Sequence, residues 1–579
     1  MDKMQKLDEI LKTYEEEMTE TLRGLVRIPS VDGEPLPGKP FGEACARALD
    51  YALKKAESFG FETYNDENYA GHVAFGGTPE GKTLGILAHL DVVPEGSDWT
   101  VPPYEGVIRD GFLYGRGAND NKCSCVSCLF ALRAIREAGI PLRDRVLLIL
   151  GCNEEKGSAD MAHYMQHVGM PDYGFSPDSG FPVCYAEKGI HRMEIRGAFG
   201  GATPLISLAA GQAVNIVPNR CRACVQGAPE QAQALRERAR QLEVPCKIAC
   251  ADGKIDIEVE GVAAHGAFPA GGRNAIALLA EILSCMDLGA AEPALRFVRE
   301  KLGVADWDGK GLGIQMEDEP SGALTVNLGV VRADEAGIAL QLDIRQPVAA
   351  DFADVLTRVQ AACAPYGLTA RSTHVSPALY VAKDSWLVTT LMRVYKEMTG
   401  RDDEPFSMGG GTYARSMKNA VAFGPGLPGN KSGGAHGPDE KQYLPEMFEA
   451  ARIYAHTIVA LAGPGMPDAG QGCRTKFERK RELQCAFPVR ESFRTTWSCR
   501  ETGPSPSLAR GRTARPWRRS SWAAGRARRA RAANGCSSCR RWTPAGRSSC
   551  ASAAGRRRPS SPTWRWARSG SPAARATWS

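Results

Sequence analysis

The sequence predicts an α/β protein: a mixed sheet covered by helices, with a second, α+β domain inserted into it. Three observations carry this. At 579 residues the chain is well above the size at which a single core stops growing. Up to about residue 188, strand-length apolar runs alternate with amphipathic helical stretches, and three successive strand ends open into loops that carry carboxylates. From about 189 the texture changes to alternating strands with a few helices, and after about 377 the first texture returns. Residues 1–188 and 377–465 are therefore expected to form one domain and 189–376 the insert.

Residues 5–22 place Leu7, Ile10, Leu11, Tyr14, Met18 and Leu22 at helical spacing with acids between them, an amphipathic helix. The stretch 25–31 breaks at Pro29, and a second helix covers about 41–59, stopped by Gly60. Residues 61–76 and 83–91 read as strands. The latter ends in His89-Leu90-Asp91; side chains two apart share a face of a strand, so the pair reads as a metal ligand and the carboxylate that orients it. Turn residues and aromatics between Asp98 and Gly117 suit a loop at a site. Residues 115–122 lead into a helix over about 123–138, with Asp120 on the turn at its start. The strand 145–150 ends in Asn153-Glu154-Glu155, and a further strand-end loop carries Asp178.

In the insert, 191–196, 219–225, 254–260 and 338–344 read as strands, with helices near 229–242 and 272–286. The C-terminal part of the first domain brings a helix near 385–399, the glycine-rich 409–415, a strand at 420–423, the loop 433–440 with His436, and a closing helix of roughly 445–462.

The overall charge of +6 conceals two unlike regions. Residues 466–579 hold 26 Lys and Arg against 5 Asp and Glu, which leaves 46 against 61 in the first 465. After Glu501 the chain is built mainly of Arg, Ala, Ser, Gly, Pro and Trp with a single Leu, so no apolar period exists to form a core. Disorder is expected there, or a gene read in the wrong frame. The start lacks the apolar core of a secretion signal and no run has transmembrane length, so a cytoplasmic protein without membrane contact is expected. Twelve of the 18 cysteines lie in the acidic body without a disulfide-framework spacing, as suits reduced thiols. Cys221, Cys224, Cys246 and Cys250 superficially resemble a zinc ribbon but read as strand packing, and Cys123, Cys125 and Cys128 as small core residues at a helix start. His163 and His167 have i, i+4 spacing but no acid between them and no third ligand in the sequence, so they read as surface or packing residues.

His89, Asp120, Glu154, Glu155, Asp178 and His436 form the constellation with chemistry. Two histidines and several carboxylates suit a pair of divalent ions, zinc first, with manganese or cobalt possible. A second acid beside a ligand glutamate has the means to take a proton from water.

Twelve short stretches resemble the M20 family of metallopeptidases, and within it the PepV-type dipeptidases. They are LVRIPSV at 25–31, PFGEACARAL at 40–49, NYAGHVAFGG at 68–77, LAHLDVVPEGSDW at 87–99, LYGRGANDNK at 113–122, NEEKGS at 153–158, SPDSGFPV at 176–183, NIVPN at 215–219, AHGAFP at 264–269, DIRQPV at 343–348, GGGTYAR at 409–415 and AHGPDE at 435–440. They fall in family order over about residues 5–462. The resemblance implies a catalytic domain from 1–188 and 377–465 and a lid domain at 189–376. It makes Asp120 the carboxylate bridging two metals, with His89 and Asp178 on one and Glu155 and His436 on the other. Glu154 becomes the general base and Asp91 the orienter of His89. It also implies that His265 stabilises the tetrahedral intermediate, that Asn215 contacts substrate, and that Arg345 holds the substrate's terminal carboxylate. The implied activity is hydrolysis of dipeptides by two-metal hydroxide attack on the peptide carbonyl; the sequence does not fix the oligomeric state, and a monomer is the favoured expectation. Two positions depart from the pattern: Asn121-Lys122-Cys123-Ser124 stands where the family has an acid, Lys, Gly and a small residue, and Gly437-Pro438 follows His436 where a Gln is common.

Two rival readings remain. The same fold could hydrolyse another amide, such as an N-acyl amino acid. In a different class, the Arg- and Trp-bearing tail could bind RNA through phosphate contacts and stacking, though nucleic acid is the less expected partner.

Overall fold

The computed structural model of the protein describes residues 2–464. The basic segment 466–579, with the disorder, wrong-frame origin and RNA binding considered for it, lies outside the described residues. Among the described residues there are two large sheets, one of nine strands and one of eight.

The nine-stranded sheet is mixed, as the sequence predicts. Its order is Glu62–Asp66, Ala70–Gly76, Arg145–Gly151, Thr83–His89, Tyr173–Ser176, Ala420–Ala422, Cys184–Glu187 and Leu379–Tyr380, with Phe406–Met408 also paired to Cys184–Glu187. The centre is parallel: Thr83–His89 runs between Arg145–Gly151 and Tyr173–Ser176, and Ala420–Ala422 continues in the same sense. Parallel strands are buried on both faces and read as continuous apolar runs. Val146, Leu148, Leu150, Ile86 and Ala88 join the large core on one face, while Leu147, Ile149 and Leu87 join a smaller one on the other. The large core is filled by Lys3–Lys12, Glu15–Val26, Gly42–Ser58, Lys122–Ala138, Trp386–Thr399 and Leu444–Ala462, and the smaller by Ala159–His167 and the short turn Tyr413–Ser416.

Two predicted elements resolve differently. The helix expected over 5–22 is two, Lys3–Lys12 and Glu15–Val26, because the chain turns at Thr13, whose hydroxyl donates to Ile10 O at 2.7 Å. The turn keeps Tyr14 in the core, edge-on to Phe130 at 5.6 Å. The run 61–76 is a hairpin, turning at Glu67 and Asn68 with φ of 52° and 61°.

The eight-stranded sheet is antiparallel throughout and drawn entirely from 189–376, in the order Cys246–Ala251, Lys254–Glu260, Arg220–Gln226, Leu205–Ala210, Thr325–Asp334, Gly337–Gln346, Gly189–Ala198, Thr369–Ser376. Its apolar face packs on Pro229–Gln241, Ala275–Leu283, Glu292–Lys301 and Phe352–Cys363. Cys221 is buried in that core, Cys246 and Cys250 pack against it, and Cys224 lies outside it, as alternation along the strands requires. Cys123, Cys125 and Cys128 are core residues too. Among the described residues, no helix is long and apolar enough to cross a membrane.

Candidate metal centre

Register brings the site together. His89 pairs with Gly151 across the parallel ladder, so the loop after Gly151 emerges beside it, and Tyr173–Ser176 on the other side delivers Pro177 and Asp178 to the same edge. Ligand sites in open α/β sheets form at the C-terminal ends of the strands. His89 is buried, with Nε2 3.1 Å from Asp120 Oδ1 and 3.6 Å from Asp178 Oδ2. With Nε2 turned to these carboxylates, Nδ1–H donates to the main-chain O of Asp91 at 3.0 Å, while the Asp91 carboxylate is 3.4 Å away. The two oxygens of that carboxylate also accept Glu154 N and Glu155 N, each at 3.1 Å. Asp91 therefore fixes the loop that carries both glutamates as well as standing behind the histidine.

Asp120 sits on the turn before Lys122–Ala138, and the peptide Asp120–Asn121 is cis. Its turn is held by Glu440, a fully buried carboxylate. One oxygen accepts Arg116 Nη1 (2.6 Å) and Gly117 N (3.0 Å), the other Asn119 N (2.9 Å) and Asp120 N (3.0 Å). Asn121, the departure from the family pattern, is equally engaged. Its amide nitrogen donates to Asp178 Oδ1 (2.8 Å) and Pro177 O (2.7 Å), and its oxygen accepts His89 N (3.3 Å). A carboxylate there would lack the donor for Asp178. The next residue, Lys122, is buried, donates to Leu25 O (3.0 Å) and Ile28 O (2.8 Å), and is pushed down to about 8 by burial.

The two oxygens of Asp120 face different histidines: Oδ1 is 3.1 Å from His89 Nε2 and Oδ2 3.2 Å from His436 Nε2. His436, at a left-handed φ of 63° on the loop before Glu440, also approaches Glu155 Oε1 at 3.1 Å. Two groups of donors result, one with His89, Asp178 and Glu154, the other with His436, Glu155 and Asp120, the donor atoms of each lying within 4.8 Å of one another.

The charges suit cations. Burial and the neighbouring carboxylates Asp178, Glu155 and Asp91 push Glu154 well up, against the opposing pull of His89. Glu155 and Asp178 are also raised, burial first, although their histidine neighbours oppose it. Asp120 is lowered despite burial, because His436 and His89 both bond to it. His89 is raised well above its usual range as Asp178, Asp120 and Asp91 outweigh its burial, and Asp120 and Glu155 raise His436 to about 10. An excess of buried carboxylate converging on two imidazoles, with one aspartate facing both, fits a pair of divalent ions.

The loop with the two glutamates has a second support. Asp160, in the first turn of Ala159–His167, accepts Cys152 N (2.6 Å), Asn153 N (2.8 Å) and the Tyr413 hydroxyl.

The candidate residues of the 189–376 segment lie beside this centre. His265 is exposed, accepts Ala267 N at 3.2 Å, and is lowered by partial burial and by the charges of Arg345 and His436. Asn215 is adjacent to it through the Ile216–His265 bridge and accepts Gly266 N on its main-chain O at 2.6 Å. Arg345 is almost wholly buried: Nε and Nη2 donate to Asp343 at 3.0 and 2.8 Å, and Nη1 to Gly409 O at 2.8 Å.

Sequence reasoning missed Glu440, Asn121 as a donor, and Asp160. Glu440 ends the AHGPDE stretch and Asn121 lies inside LYGRGANDNK, so both were visible as motif members without a role.

Residues 85–460 match the family described as peptidase family M20/M25/M40. Over 467 residues the chain is 35% identical to "Putative dipeptidase YtjP" of Bacillus subtilis (strain 168), covering 78% of this chain and 99% of that protein. A like-named protein of Staphylococcus saprophyticus is 29% identical over 463 residues, covering 78% and 98%. Human carnosine dipeptidase 1 shares the fold at a TM-score of 0.50 and 15% identity, over 79% of this chain and 98% of that one. The di-peptidase Dug1p of Saccharomyces cerevisiae shares it at 0.51 and 13%, over 79% and 99%.

Proposed function

The chain belongs to peptidase family M20/M25/M40, and from that premise we propose that it hydrolyses dipeptides at two divalent metal ions, zinc by preference. The observation that carries this is Asp120, whose two oxygens each face a different histidine at 3.1 and 3.2 Å. In this reading His89, Asp178 and Asp120 would hold one ion, and His436, Glu155 and Asp120 the other. Bound there, the ions would polarise the scissile carbonyl and make water acidic enough to attack near neutral pH.

The protein's own residues do the rest. Glu154, next in the chain to the ligand Glu155, takes the proton of the attacking water on a carboxylate oxygen and returns it to the leaving amine nitrogen. Asp91 keeps Glu154 and Glu155 at fixed depth through their backbone N–H groups. His265 donates to the oxygen on which charge develops. Asn215 and Arg345 bind the substrate, Arg345 through the N–H groups not given to Asp343 and Gly409, and a clamp on the terminal carboxylate restricts substrates to short peptides. We take 1–188 with 377–465 as the catalytic domain and 189–376 as the lid. The charges of Arg345 and His436, from the same chain, both act on His265, which supports a monomer as the working unit.

The test is release of free amino acids from a dipeptide panel, set against N-acetyl amino acids, before and after chelation. Dipeptide turnover that chelator abolishes and added zinc restores is expected. Turnover of N-acetyl amino acids alone would replace the dipeptidase reading with the amidohydrolase one.

A further inference from the structure

A second cluster of ligand-type side chains lies apart from the centre, at the far end of Ala159–His167. His163 and His167, one turn apart, converge on Asp66 at the end of Glu62–Asp66. His163 Nε2 is 3.6 Å from Asp66 Oδ2, and His167 Nδ1 is 3.5 Å from Oδ1. These separations exceed a normal N–H···O hydrogen bond. Among the described residues Asp66 Oδ2 and His163 Nε2 are both buried and have no hydrogen-bond partner, in an aspartate whose side chain is only 3% exposed. Such groups are expected to be satisfied. The other oxygen also receives a long contact from Tyr64 Oη at 3.5 Å. Glu67 Oε2 lies 3.9 Å from His163 Nε2. The His163 ring is held in place by stacking on Tyr69, centroids 3.7 Å apart and planes within 6°.

We propose that Asp66, His163 and His167 form a divalent-metal site of the zinc class, separate from the catalytic pair, that fastens the helix Ala159–His167 to the Glu62–Gly76 hairpin. Around a tetrahedral zinc with bonds of 2.0–2.2 Å, neighbouring donor atoms stand about 3.4 Å apart; His163 Nε2 and His167 Nδ1 stand 3.6 and 3.5 Å from the two different oxygens of Asp66, so the carboxylate offers one oxygen towards each histidine. The fourth position goes to water or to Glu67. An i, i+4 histidine pair presents two nitrogens on one helix face, and the aspartate supplies the third ligand that the local sequence lacks. The helix so fastened carries Asp160, which holds the Cys152–Asn153 backbone ahead of the two glutamates, so the ion stiffens the support of the catalytic loop.

The test uses the full chain, stripped with chelator and dialysed against zinc. Metal analysis is expected to give one equivalent per chain fewer for His163→Gln/His167→Gln than for the unaltered protein, with circular dichroism unchanged. Equal zinc content in a folded double variant overturns the proposal. A measurement on the unaltered protein covers the case in which the variant fails to fold. Mass-spectrometric mapping of diethyl pyrocarbonate modification is expected to show His163 and His167 at least tenfold slower to react in saturating zinc. Equal rates with and without zinc also overturn it.

Discussion

Replacing Glu440 with glutamine tests how the Asp120 carboxylate is held. The wild-type side chain is buried and accepts four hydrogen bonds, from Arg116 Nη1, Gly117 N, Asn119 N and Asp120 N, at 2.6–3.0 Å. Glutamine keeps one acceptor oxygen, enough for one of the two donor pairs. Its NH2 group then faces the other pair, donor against donor. Arg116, 1% exposed, loses its carboxylate, and although its Nη2 contacts Pro94 O and Glu95 O at 3.4 and 3.3 Å, its charge stays buried without a counterion. Breaking a buried ion pair from one side costs about 3–5 kcal/mol. The loss is expected in urea unfolding of the chelated full chain. Because Asp120 N is one of the four donors, zinc affinity is expected to fall about 10–100-fold as well, the usual effect of removing a group behind the ligands. A loss under about 1 kcal/mol with unchanged zinc affinity would refute the idea that Glu440 sets the position of Asp120.

Three further outcomes follow from the same geometry. Asn121→Asp removes the donor to Asp178 and adds a carboxylate to an acidic site; a hydrogen bond to a charged group is worth about 1.5–3 kcal/mol, so urea unfolding of the chelated chain should show a loss of about that size, and unchanged stability would refute the role of the amide. Glu154→Gln should lower dipeptide kcat by about 10²–10⁴ with zinc content unchanged; unaltered kcat would remove Glu154 as the base. His191, fixed as the neutral ring by Ser372 and Gln346, is lowered by burial to about 4. The unfolded chain takes up this proton near pH 6.5 and the folded one only near 4. Stability should therefore fall as pH drops through that window, by on the order of 2 kcal/mol after allowance for solvent screening. In chelated protein, wild type should lose that much more than His191→Gln between pH 7 and 4, and parallel curves would refute the assignment.

Much of the centre was legible because its candidate residues stand where periodicity ends. His89, Glu154, Glu155 and Asp178 each follow an apolar strand, and Asp120 precedes a helix, so a break in the pattern marks each one. Groups that act by accepting backbone N–H bonds carry no such mark, which is why Glu440 and Asp160 had no role in the sequence. Arg345 and Asp343 share a strand face by the same rule as His89 and Asp91, but the Gly409 carbonyl that completes the arginine's bonds comes from another element. Asp66 was hidden as third ligand to His163 and His167 because strand pairing alone brings that hairpin beside the helix. The mixed sheet was legible from its continuous apolar strands, whereas the break at Thr13 was not, since both halves keep one helical period across it.

The most direct test of the central claim is an anomalous-difference map from crystals of the zinc-loaded protein. Two peaks flanking the Asp120 carboxylate are expected, one beside His89 and Asp178 and one beside His436 and Glu155. A single peak, or none, in crystals whose dissolved protein still hydrolyses dipeptides would contradict it.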